Sequence, residues 1–447
     1  MPHAISSTVT HFRRSEETTM AQEHRLSRRR LLTISAGTLA VAAIAPATPA
    51  LADQLVQNVP NPLLPPGKRG TILYTQRDAT ARRGIWNNPA PTMGYLGGPN
   101  FPADPDDLGP LVPLPGGFRE VFQFLARAGF KQVEFAGYNQ HAENQGGAAP
   151  PLTQSGRLLR ENFPAYLDYA RTLRGFLDEA GLEAIGNHGF IPNSWPGGPN
   201  GGMTTDDYDR FQIELEFASI LGMPYMGTGG DPTGSSAKEA WDLAAQKWEA
   251  INDLAAPWRI SIYPHNHADA YGFLQDGPMV QVTVDRVTGA PLPQPQMVRG
   301  ESGIRKMQYY LDITPSTKCY CEIDIYWAHS AQHRFRWYYD WEGQRRESVF
   351  SPIDQIAAQP LRYPLYHAKD GERRDDQPVG VGEGYRMIPF GDPRSDIDYD
   401  AIFRRHRPRG YHNPNYEDDT APGGAADPGR SLRHAVISGT NMANMAR

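Results

Sequence analysis

Short apolar runs alternate with longer amphipathic segments along most of this chain. Each short run is typical of a buried β-strand, whereas the longer segments repeat apolar residues at i, i+3, i+4 and i+7, which is the spacing of one helix face. Residues 117–128 show this spacing, and Gly129 follows as a stop signal; the apolar positions are Phe118, Val121, Phe122 and Leu125. The pattern predicts strands and helices in regular alternation from Gly70 onward.

The pattern places eight strands and the helices that separate them. The strands are predicted at Gly70–Tyr74, Lys131–Gly137, Leu182–His188, Pro224–Gly227, Ile260–Tyr263, Cys319–Ile323, Tyr363–His367 and Gly410–Tyr416. The helices are predicted at Gly117–Ala128, Phe163–Ala180, Asp206–Leu221, Ala237–Ala256, Ile304–Leu311, Pro352–Gln359, Asp398–Arg405 and Pro428–Met445. Connections rich in Gly, Pro or aromatic residues, at 80–117, 268–303 and 335–350, predict irregular insertions.

This alternation favours a parallel α/β architecture, and the count of eight strands favours a (β/α)8 TIM barrel over an open sheet. A doubly wound sheet is expected to carry a glycine fingerprint after its first strand, and the TQRDATARRG segment after Tyr74 is not one. A chain of 447 residues with 39% hydrophobic content can bury a large core. We therefore predict one barrel domain with long loop insertions, at residues 53–447.

Residues 1–52 have the features of an export signal. Ser27–Leu32 reads SRRRLL, a twin-arginine type n-region; Leu31–Ile44 is a short and moderately apolar h-region; and Ala50–Ala52 fits a small-residue cleavage site. The h-region is too short for a membrane span, and no later run approaches about 18 apolar residues. The segment predicts a twin-arginine signal peptide, cleavage before Asp53, and a secreted or extracytoplasmic protein without a membrane anchor.

The charge balance and the cysteine count each argue against one class of protein. Residues 1–52 contain six Arg and three acidic residues, so 38 basic and 47 acidic residues remain beyond them, a net charge of −9. Nucleic acid is therefore not an expected partner. Cys319 and Cys321 lie two apart in one predicted strand and share a face, so no disulfide framework is expected. Both a monomer and an oligomer are compatible with this composition.

Two histidines flank an asparagine directly after the fifth predicted strand, in the segment RISIYPHNH (259–267). Because side chains alternate along a strand, His265 and His267 are expected on the same side of its C-terminal end. Neutral imidazole is a common ligand of zinc and related ions, but two histidines fill only half of a coordination sphere. Carboxylates and another histidine are therefore expected from elsewhere in the chain. The alternative is an HNH segment that only caps a loop by hydrogen bonding.

Ionisable residues also lie at the ends of other predicted strands, where TIM barrels carry their chemistry. Each of them alone is as compatible with a structural hydrogen bond as with a ligand. Histidines and carboxylates that converge on one mouth, however, form an open divalent-metal site. The residues, in strand order, are Glu134, His188, Asp324, His367 with Lys369 just behind it, and Glu417.

Six segments, in consistent order, resemble one known family. They are VEFAGY (133–138), YPHNH (263–267), CEIDIYWAHSAQ (321–332), LYHAKD (365–370), VGEG (381–384) and YEDDTAPGG (416–424). The family is that of the exported sugar phosphate isomerase/epimerase-like proteins of the xylose isomerase-like TIM-barrel superfamily. The resemblance covers nearly all of residues 70–447, and its most specific elements are EIDIYW and HAKD followed by VGEG.

The resemblance implies a divalent-metal site. In that superfamily manganese, magnesium, cobalt or zinc is held by Glu, Asp, His and Glu from the ends of strands five to eight. By position, Asp324 matches the Asp, His367 the His and Glu417 the last Glu. At the first position this chain carries a histidine of the HNH segment where the epimerases carry a carboxylate, and we take His265 as the ligand. The last strand, NPNYEDD, is also more polar than the usual apolar run.

The resemblance further implies a metal-dependent sugar isomerase or epimerase, which removes a proton next to a carbonyl through a metal-stabilised enediolate. Glu417 is the expected base on one face of the sugar. The group that acts on the other face is expected among His188, Glu134 and Lys369. The expected substrate contacts are His267, Trp327 and Tyr138, the last two by stacking on the sugar.

Two other functions are compatible with the same residues. A lyase or hydrolase acting on keto-glycosides would use the same metal and base to eliminate a group beta to the carbonyl. A non-catalytic carbohydrate-binding barrel would fit the absence of the first glutamate. In all three cases the partner is a small-molecule sugar or glycoside, and no phosphate-binding loop is visible in the sequence.

Overall fold

The computed structural model describes residues 59–82, 92–138, 158–374, 384–406 and 412–447. The predicted signal peptide and residues 381–383 of the VGEG segment lie outside these ranges, so export and the domain boundary at Asp53 stay predictions. Within the described ranges, no helix is both long enough and apolar enough to cross a membrane.

Strands and helices alternate in the described part of the chain. The strands are β1 Gly70–Ile72, β2 Met93–Tyr95, β3 Leu111–Pro113, β4 Gln132–Phe135, β5 Glu183–Asn187, β6 Tyr225–Gly227, β7 Ser261–Tyr263, β8 Phe273–Val284, β9 Pro291–Arg305, β10 Glu322–Asp324, β11 Trp337–Tyr339, β12 Arg345–Glu347, β13 Leu365–Ala368, β14 Asp370–Arg373, β15 Tyr385–Ile388 and β16 Asn413–Tyr416. The α-helices span Arg77–Thr80, Gly117–Arg127, Phe163–Ala180, Thr205–Leu221, Lys238–Ala255, Lys306–Ile313, Ile325–Arg334, Pro352–Ala358, Tyr399–His406 and Arg430–Asn444.

Parallel strands close into a barrel. Six of the described strands form one sheet in the order β10, β13, β16, β1, β4, β5, and β6 pairs with β7. His188, directly after β5, bridges to Gly227 in β6. On the other side, the Glu322 N–H in β10 donates to the Pro264 carbonyl after β7 at 3.0 Å. These two links join the sheets into the predicted (β/α)8 barrel.

The predicted strands are all present, as β1, β4, β5, β6, β7, β10, β13 and β16. Their apolar runs are buried because a barrel strand faces the interior on one side and the outer helices on the other. Ile262 and Ile323, for example, are fully buried. Two predicted helix ends are also confirmed, since Gly181 and Gly222 directly follow their helices and adopt left-handed φ angles of 67° and 75°.

The predicted irregular insertions are partly ordered as antiparallel ribbons. Residues 268–303, expected to be irregular, form most of the long ribbon β8–β9, and residues 335–350 contain the ribbon β11–β12. Pro291, Pro293 and Pro295 lie within β9, because a two-stranded ribbon has free edges that tolerate residues without an N–H. The pattern also missed the helix Ile325–Arg334, which begins directly after β10.

Candidate metal centre

Buried polar side chains line the C-terminal half of the barrel interior. They occur in pairs two residues apart, because every second residue of a barrel strand faces inward. One member of each pair lies within a strand, and the other lies further toward the C-terminal mouth. The pairs are Tyr263 and His265, Glu322 and Asp324, His367 and Lys369, and Asn415 and Glu417.

Three potential ligand atoms meet at the mouth of the barrel. Asp324 Oδ2, His367 Nδ1 and Glu417 Oε2 all lie within 4.8 Å of one another, and Glu417 Oε2 is 2.6 Å from His367 Nδ1. His265 Nε2 approaches from another strand, 3.7 Å from Asp324 Oδ2. Although they are close, none of the first three atoms makes a hydrogen bond of good geometry with a described residue. Close contact without hydrogen-bond geometry is expected of atoms that point at a common centre.

The Lys369 ammonium lies among the carboxylates of this cluster. Its Nζ is 2.9 Å from Asp324 Oδ2, 2.9 Å from Glu417 Oε2 and 3.0 Å from Asp419 Oδ2. Burial lowers the pKa of Lys369, but the three carboxylates outweigh it and hold the pKa well above the usual range. The same lysine, together with His367, holds the pKa of Glu417 well below its usual range despite burial. Lys369 is therefore held as a cation that donates hydrogen bonds, and Glu417 is held as an anion that accepts them.

In the HNH segment, the asparagine links two barrel strands and the two histidines face the mouth of the barrel. The Asn266 side chain donates to the Asp324 carbonyl at 3.2 Å and accepts from the Asp324 N–H at 3.0 Å, which ties the end of β7 to β10. This amide pair holds the two flanking histidines on one side, with ring centroids 5.2 Å apart, as the alternation predicts. His265 is buried, whereas His267 is exposed at the mouth with its ring 5.7 Å from that of Trp327.

A second cluster lies deeper in the barrel around Glu322. Glu322 Oε2 is 2.6 Å from His188 Nε2 and 3.1 Å from His265 Nδ1, and Oε1 is 3.1 Å from His367 Nε2. Burial raises the pKa of Glu322, but His367 and His188 outweigh it and hold the pKa well below the usual range. One buried carboxylate thus contacts three imidazoles. Because it occupies His265 Nδ1, it leaves His265 Nε2 to face Asp324.

Glu134 lies in the same buried cluster but in a different electrostatic state. It accepts hydrogen bonds from the Tyr263 hydroxyl and from Asn415 Nδ2, the latter at 2.9 Å, and lies 3.0 Å from His367 Nε2. Burial and the neighbouring Glu322 raise its pKa, against the effect of the histidines. The environment therefore pushes the pKa values of Glu134 and Glu322 apart, an arrangement typical of sites that separate an acid from a base.

The residues at the mouth fit a divalent cation. Imidazole nitrogen and carboxylate oxygen are the ligands that zinc, manganese and cobalt share in open sites. Asp324, His367 and Glu417 supply that donor set, each with one atom that makes no hydrogen bond of good geometry, and His265 Nε2 faces Asp324 from beside them.

The structure brings the predicted site residues to one end of the barrel. The four predicted ligands face one another at the mouth, and Glu134 and His188 lie beneath them. Trp327 lines the mouth beside His267, whereas Tyr138 is stacked on Phe217 at 3.9 Å in a neighbouring cavity.

Sequence reasoning missed four polar residues of the site, although three of them carried a usable signal. Glu322, Tyr263 and Asn415 each lie two positions before a predicted ligand, and the alternation used for the two HNH histidines applies to them equally. Asp419 lies two positions after Glu417 beyond the strand end, where alternation is no longer reliable.

Comparison with known protein families identifies the fold of this chain. A family model described as a xylose isomerase-like TIM barrel matches residues 122–426, more than half of the chain. No curated protein matches the chain significantly.

Solved structures similar to this chain share little sequence with it. A sugar phosphate isomerase/epimerase from Parabacteroides distasonis ATCC 8503 is 15% identical, with a TM-score of 0.44 over 85% of this chain and 96% of that chain. The IOLI protein with a bound zinc atom is 11% identical, with a TM-score of 0.45 over 85% and 99%. The 3-keto-D-glucoside 4-epimerase YcjR from E. coli is 10% identical, with a TM-score of 0.38 over 83% and 97%.

Proposed function

Because the chain belongs to the xylose isomerase-like TIM-barrel family, we propose that it is a metal-dependent sugar isomerase or epimerase. The observation that carries the proposal is the convergence of Asp324 Oδ2, His367 Nδ1 and Glu417 Oε2 at the mouth of the barrel, all buried and none in a hydrogen bond of good geometry. With His265 they would hold one divalent ion. When bound, that ion supplies Lewis-acid stabilisation of negative charge on a sugar oxygen.

The side chains around the mouth can move the proton. Glu417 is held ionised by Lys369 and His367, so its carboxylate can accept a proton from the carbon next to a carbonyl. Glu134 and His188 lie beneath the mouth, and the raised pKa of Glu134 brings it closer to the range where a carboxyl both donates and accepts. The Lys369 ammonium lies 2.9 Å from Glu417 Oε2 and can hydrogen-bond an oxygen that becomes negative.

Deuterium exchange tests the proposal. The metal-loaded mature protein is incubated in D2O with a panel of sugars and keto-glycosides, and the products are followed by NMR. Deuterium next to a carbonyl with the carbon skeleton intact supports isomerisation or epimerisation. Deuterium together with a released second unit would instead indicate elimination from a keto-glycoside. Binding of a sugar with no exchange at any position would indicate a non-catalytic barrel and contradict the proposal.

The two HNH histidines are expected to differ in role. His265→Ala should lower both metal content and turnover, because His265 Nε2 faces Asp324. His267→Ala should keep the metal and lower mainly kcat, because His267 lies exposed at the mouth beside Trp327 and is expected to contact substrate. Elemental analysis and steady-state kinetics measure the two effects. His434→Ala, on the last helix, is the control, and near-normal metal and turnover in both HNH variants would mean that the two histidines are only structural.

We also propose that the protein is exported by the twin-arginine route, on the basis of the SRRRLL segment at residues 27–32. Replacing Arg28 and Arg29 together by Lys should keep the precursor in the cytoplasm, because this route recognises the guanidinium pair and not charge alone. Fractionation of cells that express the full chain measures the effect. A single Arg30→Lys replacement is the control, and unchanged export of the double variant would contradict the proposal.

A further inference from the structure

A second cavity adjoins the mouth of the barrel. The mouth cavity has a volume of about 390 Å³ and contains His265, His267 and Glu417 in its wall. The neighbouring cavity has a volume of about 620 Å³, and the two share Ala136 and His188 as a common wall. The second space, which we call the distal cavity, therefore lies directly beside the mouth, on the other side of His188.

The distal cavity contains buried polar groups that make no hydrogen bond of good geometry with the described residues. The Asn187 amide accepts from the Gly137 N–H at 2.8 Å, which directs its Nδ2 away from Gly137. That Nδ2 atom is buried and approaches the Tyr138 hydroxyl, but neither group makes a hydrogen bond of good geometry with a described residue. Both side chains are more than nine-tenths buried. Unpartnered buried donors are costly unless a ligand or water satisfies them.

The charges around the distal cavity are balanced. Lys247 and Arg210 contribute cations, and Glu214 and Asp231 contribute carboxylates. Glu214 accepts from the Tyr166 hydroxyl at 3.2 Å, and Asp231 Oδ1 accepts from the His267 N–H at 2.8 Å. A wall with mixed donors and acceptors and no excess of either charge suits the hydroxyl groups of a neutral sugar better than a phosphate or a carboxylate.

We propose that the distal cavity is a subsite for a second glycosyl unit, so that the substrate is a neutral glycoside of at least two units rather than a free monosaccharide. The reacting sugar lies over Asp324, His367 and Glu417, as the proposed function requires. The second unit lies past His188 and accepts hydrogen bonds from Asn187 Nδ2 and Lys247. Its hydroxyl groups donate to Glu214.

Binding of one-unit and two-unit probes tests this subsite. The metal-loaded protein is titrated calorimetrically with methyl β-D-glucoside and methyl α-D-glucoside, and with the two-unit probes cellobiose, maltose and trehalose. At least one two-unit probe should bind about tenfold more tightly than the one-unit probes, a difference of about 1.4 kcal/mol. Equal affinities for all probes would overturn the proposal.

Two variants act on the distal cavity without touching the metal ligands. Lys247→Met removes one donor. Gly189→Ala places a Cβ 2.3 Å from Asn187 Nδ2, so that this amide must shift. Each should remove most of the two-unit preference and leave one-unit affinity unchanged. Lys238→Met is the control, because Lys238 lies on the same helix and pairs with Asp242.

The outcomes also separate this inference from the proposed function. If one-unit and two-unit sugars exchange deuterium equally well and bind with equal affinity, the result would support the proposed isomerase function and contradict the subsite proposal. A two-unit preference that Lys247→Met abolishes, in a protein that exchanges no deuterium, would keep the subsite and overturn the catalytic proposal.

Discussion

Asp324→Asn is expected to release most of the bound ion while the barrel stays folded. The wild-type protein should hold about one divalent ion per chain, since Asp324, His367 and Glu417 each offer a ligand atom within 4.8 Å of the others. Asp324 uses Oδ2 toward that centre, whereas its Oδ1 accepts from the Trp327 N–H at 3.0 Å and caps the helix Ile325–Arg334. Asparagine keeps the cap acceptor but loses the ligand charge. Loss of a group that only hydrogen-bonds to a metal ligand weakens metal binding about 10–100-fold. Loss of the ligand charge itself should therefore lower the metal affinity by more than about 100-fold.

Asp324→Ala separates the two roles of this side chain. It should lose the metal as the asparagine variant does and, in addition, lose about 1 kcal/mol of the free energy of unfolding, because the helix cap is removed. Elemental analysis after dialysis and thermal unfolding measure the two effects. Asp418→Asn is the matched control, since Asp418 is equally buried beside a predicted ligand but pairs with His434 on the last helix. An Asp324→Asn protein that keeps one tightly held ion would remove Asp324 from the ligand set.

Glu322→Gln is expected to damage both metal binding and stability, although Glu322 is not a predicted ligand. Its carboxylate contacts His188, His265 and His367. A neutral glutamine keeps the volume but offers fewer acceptors, so at least one buried imidazole loses its partner. We expect metal affinity to fall about 10–100-fold. The free energy of unfolding of the metal-free protein should fall by about 3–5 kcal/mol, the usual cost of breaking a buried ion pair from one side.

The pH dependence of the metal-free protein provides an independent check on Glu322. Its pKa is depressed in the folded state, so its stabilising contribution is present above the unfolded glutamate pKa of about 4.3 and is lost as the pH falls toward the folded value. The wild-type protein should therefore lose more stability than Glu322→Gln on acidification below about pH 4.3. If the two proteins lose the same amount of stability as the pH falls, the Glu322 carboxylate is not held ionised by the histidines.

Glu301→Gln is the control for these measurements. Glu301 is a buried carboxylate in β9 that pairs with Arg286 at 3.1 Å, outside the barrel mouth. Replacing Glu301 by Gln should leave Arg286 unpaired and so lower the free energy of unfolding. The metal affinity should stay unchanged. If Glu322→Gln binds metal as the wild type does, the three histidines are oriented by other contacts.

Much of the fold could be predicted from the sequence because strand and helix periodicities are local. The run SIY before the HNH segment and the glycine stops at Gly181 and Gly222 each report on a few neighbouring residues. The β8–β9 ribbon was not predicted, because its pairing joins residues far apart, such as Phe273 and Arg305. A strand whose stability depends on a partner outside the local window leaves only a weak signal in its own pattern.

The barrel and the strand ends that carry its polar chemistry could be predicted from the sequence, since both follow from alternation along single strands. How those side chains pair became visible only in the closed barrel. Glu134 meets Tyr263 and Asn415 across sequence separations of 129 and 281 residues, and Glu322 takes one nitrogen of His265 so that the other faces Asp324. Such contacts exist only once the barrel has closed, because the closure of the sheet, and not the local sequence, sets which strand ends face each other.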